Sequence, residues 1–70
     1  METLLESDGV ELIRNGENIF LRYDAGEIVS QMRELGITAD EADRILLNPR
    51  DAYGIIISYH NRGEYGVKIR

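Results

Sequence analysis

Two β-rich runs in the last third of the chain, residues 53–59 and 65–70, flank a loop that ends in Gly63. Side-chain parity restricts how they pair. A two-residue loop at Arg62-Gly63 sets Ile57 opposite Lys68 and mixes the faces, whereas a three-residue loop, Asn61-Arg62-Gly63, pairs Tyr59 with Tyr65, Ile57 with Val67 and Ile55 with Ile69. The sequence therefore predicts a closing hairpin turned by Gly63 in the left-handed conformation, where a missing Cβ costs nothing. Six apolar side chains then line one face, and Ile56, Lys68, Ser58, Gly66, His60 and Glu64 line the other. A two-stranded ribbon does not stand alone in water, so the apolar face needs a cover from the rest of the chain.

A second ribbon is expected over residues 10–24. Asn15-Gly16 between alternating runs is a strong hairpin signal, because both central residues of a type I′ turn need positive φ. A two-residue loop there pairs Arg14 with Glu17, Leu12 with Ile19 and Val10 with Leu21. Val10, Leu12, Ile19, Leu21 and Tyr23 then share one face, and Glu11, Asn18 and Arg22 share the other with Ile13 and Phe20. Ahead of it, Leu4 and Leu5 before Ser7-Asp8-Gly9 read as a short first strand or a frayed end.

Between the ribbons the period changes. Asp24 and Glu27 resemble a capping box, Ile28, Val29, Met32 and Leu35 recur at helical spacing, and Gly36 stands where a helix C′ residue belongs. Thr38 and Glu41 form a full capping box for a second helix with Ala39, Ala42, Ile45 and Leu46 on its apolar side, ended by Asn48-Pro49. The prediction is one α+β domain over residues 1–70, in the order ββ-αα-ββ. Its four- or five-stranded, mostly antiparallel sheet carries two short helices on one face.

Composition narrows the function. A 70-residue chain without cysteine has no disulfides and no Cys-based zinc site, so its core must stand on packing alone. No apolar run approaches a membrane span and no leader pattern opens the chain, so a cytoplasmic protein without membrane contact is expected. The net charge of −5 is uneven: residues 24–47 carry six acids against two bases, residues 48–70 two against four.

The open face of the expected sheet holds the strongest candidate site: Ile13, Phe20 and Ile56 with Arg22, Lys68 and Arg70. Apolar residues on a bare sheet suit a protein interface, with either a partner protein or a second copy of the chain. One aromatic among basic residues also suits single-stranded nucleic acid, although such platforms usually present two or three aromatics. The elbow Leu35-Gly36-Ile37-Thr38 is similar to that of a helix-turn-helix, but Asp40, Glu41 and Asp43 would set carboxylates against phosphates. With Glu27 and Glu34 these acids suggest an acidic mimic that occupies a basic groove.

Catalytic signals are few. His60 facing Glu64 across the hairpin makes a base with an orienting carboxylate, yet no nucleophile accompanies it, and a lone His does not make a zinc site. The expectation is a small non-catalytic protein-binding module (regulatory, adaptor or inhibitor) without cofactor or metal, which takes either a partner protein or a second copy of the chain on its open face. Nucleic-acid binding and acidic mimicry are the alternatives.

Overall fold

The computed structural model describes residues 1–7, 9–24 and 31–69. Four strands, β1 (Glu2–Ser7), β2 (Val10–Asn15), β3 (Asn18–Asp24) and β4 (Met32–Ile37), precede two helices, α1 (Ala39–Leu47) and α2 (Asp51–Asn61), and a two-residue strand, β5 (Val67–Lys68), closes the chain. The five strands form an antiparallel meander in the order β1-β2-β3-β4-β5. The fold class is therefore α+β with two short helices on one face of the sheet, but both helices follow the fourth strand.

The β2–β3 hairpin keeps the expected faces and shifts its register. Asn15 pairs with Asn18, Leu12 with Leu21 and Val10 with Tyr23, so the loop is Gly16-Glu17 rather than Asn15-Gly16. Gly16, at φ 65°, takes the first central position of the turn. The slide from the expected register is two residues, and two preserves parity, so Val10, Leu12, Leu21 and Tyr23 still enter the core together. Residues 2–7 are a real strand. A bulge between Thr3 and Leu5 lets both Leu4 and Leu5 pack against the core.

Two expectations are overturned. The helix predicted from Asp24 to Leu35 is replaced over its last residues by β4, while residues 25–30 lie outside the described residues. Arg33, Leu35 and Ile37 alternate with Met32, Glu34 and Gly36. Pairing along β3 buries Leu35 against the helices, which a short run at helical spacing cannot match. Gly36 is a strand residue opposite Phe20, not a helix terminator.

The hairpin predicted for residues 53–70 is mostly helix α2. Ala52, Ile55, Ile56 and Tyr59 recur at helical spacing and are all buried, while Ile57 and Val67, expected to pair in the core, are 58% and 70% exposed. Gly63 does adopt the left-handed conformation, at φ 83°, but as the residue that ends α2. Its N–H donates to the His60 carbonyl and the Glu64 N–H to the Tyr59 carbonyl, both at 2.9 Å, the pair of bonds that defines a Schellman cap.

Helix α1 forms as expected. Glu41 N–H donates to Thr38 Oγ1 at 3.2 Å, and Thr38 N–H donates back to Glu41 Oε1 at 2.9 Å. Asn48-Pro49-Arg50 then folds α2 back beside α1, so that the Tyr59 hydroxyl donates to Glu41. Ala42 and Ile45 of α1 and the four buried residues of α2 close over Val10, Leu12, Leu21, Tyr23 and Leu35. Among the described residues no helix is long and apolar enough to cross a membrane.

Candidate functional site

The helices cover one face of the sheet and leave the other bare, and parity decides what stands there. Three of the six expected site residues do. Ile13 and Phe20 are cross-strand partners, and Arg22 follows on β3. Ile13 is sealed beneath its neighbours at 2% exposure, while Phe20 is half-buried. A Cβ on Gly36 would stand 4.0 Å from Phe20 Cε1, so the ring lies beside the bare glycine backbone of β4 and leaves a flat apolar strip.

Arg22 is not free to bind an anion. Its Nε donates to Glu34 Oε2 at 2.8 Å, both side chains being about one-fifth exposed, and its Nη2 reaches Met1 Sδ at 3.6 Å. The other three residues leave the site. Ile56 is a core residue of α2, on the opposite side of the sheet and 6% exposed, because the segment that carries it is a helix. Lys68 is in β5 opposite Arg33, and alternation from the Glu34–Val67 pair puts both on the helix side. Arg70 lies outside the described residues. The basic cluster expected on the open face is thus dispersed.

Of the acids, Glu34 is held by Arg22 on the open face, while Asp40, Glu41 and Asp43 stay together at the start of α1, where Glu41 caps the helix and Asp40 and Asp43 are exposed; Glu27 is outside the described residues. Burial pushes the Glu41 carboxyl up, but hydrogen bonds from the Thr38 N–H, the Tyr59 hydroxyl and the Thr38 hydroxyl, with the Arg62 charge, outweigh it and hold the pKa below the ordinary carboxylate value. Arg62 lies 4.2 Å from the Tyr59 ring centroid.

His60 and Glu64 do not pair. Glu64 reaches Arg62 at 3.5 Å, and His60 Nε2 lies 2.8 Å from the Tyr23 hydroxyl. That hydroxyl donates to the Tyr65 carbonyl at 2.8 Å. A carbonyl only accepts, and the hydroxyl has one proton, so His60 Nε2 carries the hydrogen and donates to Tyr23. The His60 ring sits between Tyr23 and Tyr65, with centroids 5.7 and 5.0 Å away. Burial pushes the Tyr23 pKa up, partly offset by the Arg33 charge, so the hydroxyl stays a neutral donor. These three residues latch the chain after α2 onto the sheet. Sequence reasoning missed the latch because it placed His60 in a strand.

Beside the latch, a cleft of about 350 Å³ opens between α2 and the end of the sheet, with Tyr53, Ile57 and His60 on its helix side and Val10, Tyr23 and Ile56 at its base. No protein family, curated sequence or solved structure matches the chain.

Proposed function

We propose that the chain is a small protein-binding module, a regulatory, adaptor or inhibitor domain without a catalytic role of its own. Its partner lies on the uncovered face of the sheet. The observation that supports this reading most is the strip formed by Phe20 and Gly36: a partly buried aromatic ring beside exposed glycine backbone, next to an ion pair that is already satisfied. Such a surface offers apolar contact and close backbone approach, with Arg22 and Glu34 already paired to each other. Single-stranded nucleic acid fits it less well, since Arg22 is engaged by Glu34 and Lys68 stands on the other side. A chain without cysteine suits the reducing cytoplasm, where we place the module.

The test is recovery of the tagged chain from its native host under mild conditions, with the complex sized by light scattering and the captured protein re-tested in purified form. Phe20→Glu is expected to abolish capture while far-ultraviolet circular dichroism stays unchanged, and Ile57→Glu, on the helical side, is expected to retain it. A particle of twice the chain mass identifies the partner as a second copy. Recovery as a bare monomer, or capture that survives Phe20→Glu, overturns the reading.

A further inference from the structure

The outer edge of β4 is covered by a strand that fits it poorly. β5 pairs with β4 only at Arg33–Lys68 and Glu34–Val67, with one further bond from the Ile69 N–H to the Met32 carbonyl at 2.9 Å. Lys68 therefore stands directly opposite Arg33, a pairing of like charges that weakens a sheet. Arg22, one residue away across β3, has its carboxylate in Glu34. Among the described residues none lies within ion-pair distance of Arg33, whose Nη1 donates only to the Gly66 carbonyl at 3.3 Å.

The cover also stops short. Because the Met32 carbonyl points at β5, the backbone groups of Glu34 and Gly36 point to the same edge. β5 reaches Glu34 and then turns away at Gly66, where φ is 75° and a Cβ would stand 3.0 Å from the Glu34 carbonyl oxygen. Gly36 is exposed beyond that point, with the Phe20 ring beside it.

We propose that the outer edge of β4 is a strand acceptor, which β5 occupies as a weak internal substitute. Its occupant is an extended segment of a partner protein, added antiparallel as a further strand in place of β5. Two positions define that segment. A bulky apolar residue faces Gly36 and packs on Phe20, and three residues later an Asp or Glu takes the place of Lys68 opposite Arg33. Main-chain bonds supply affinity, and these two side chains supply selection. The inference rests on the protein-binding reading above and names the chemistry of its partner.

The probe is the capped peptide acetyl-Thr-Tyr-Thr-Val-Glu-Val-amide, titrated into the full chain labelled with nitrogen-15. Its Tyr is designed to face Gly36 and its Glu to face Arg33. Amide signals of residues 32–37 are expected to shift, with loss of exchange protection at Ile69 as β5 leaves. Replacing the probe's Glu by Lys, or its Tyr by Ala, is expected to weaken binding at least ten-fold. Tyr23→Phe, which removes one hold on β5, is expected to tighten it several-fold. In Arg33→Glu the preference between the Glu and Lys probes reverses, and Ile69 exchanges more slowly without any probe, because Lys68 then faces a carboxylate.

Unmoved β4 signals, equal binding of the Glu and Lys probes, or an unchanged preference in Arg33→Glu overturns the acceptor edge. If a partner is still captured from the host in that case, the edge alone is lost. If none is captured, the binding reading is lost with it.

Discussion

Tyr23 joins the core to the end of the chain through one oxygen. Its ring is buried between the sheet and α2, while its hydroxyl donates to the Tyr65 carbonyl and accepts from His60 Nε2. Alkali breaks the bond to the Tyr65 carbonyl, because a phenolate cannot donate. Burial raises the folded-state pKa of Tyr23 above the unfolded value of about 10, so the stabilisation is complete below that pH and disappears as pH climbs through the higher folded value. Tyr23→Phe removes both hydrogen bonds and is expected to cost about 1–3 kcal/mol at neutral pH and to flatten the loss of stability as pH rises past about 10. Urea titrations of both proteins across that rise check it; an equal alkaline slope in the variant assigns the effect elsewhere.

At the scale of elements, α1 was legible because its signal is local. Thr38 and Glu41 cap each other whatever the rest of the chain does. Thr38→Ala is expected to cost about 1 kcal/mol in thermal or urea unfolding, the usual loss for an N-cap. The depressed Glu41 pKa adds a pH dependence of the opposite sense to that of Tyr23: its stabilisation is complete above the ordinary carboxylate value, about 4.3, and fades as pH falls through the lower folded value. The acid limb of the stability profile should therefore be shallower in Glu41→Gln. Gly63 shows how a local signal can be read correctly and assigned wrongly. A positive φ there serves a three-residue hairpin or a Schellman cap equally well, and only the structure shows which (Tyr59 and His60 carbonyls accept, so it is the cap). β4 was hidden because the helical pattern assigned to its neighbourhood spans Ile28 to Leu35, whereas the alternation of Arg33, Leu35 and Ile37 is too short to be decisive alone.

For the whole molecule, the sharpest test of the packing is a pair of adjacent isoleucines. Ile56→Ala is expected to cost about 2–5 kcal/mol, since it empties space in the buried core, while Ile57→Ala should change stability by no more than about 0.5 kcal/mol. The ribbon first inferred from the sequence requires the reverse order, so two denaturation curves distinguish the folds. Sequence alone determined the faces of β2 and β3, the cap of α1 and the left-handed turn at Gly63, because each depends on parity or on bonds made within a few residues. Whether residues 53–61 form a strand or a helix was left to the tertiary structure. Tyr53, Ile55, Ile57 and Tyr59 satisfy a period of two as well as Ala52, Ile55, Ile56 and Tyr59 satisfy a helical one. The difference lies in what each arrangement buries. A helix there folds beside α1 and closes the core over β2 to β4, and that burial depends on contacts between parts of the chain far apart in sequence.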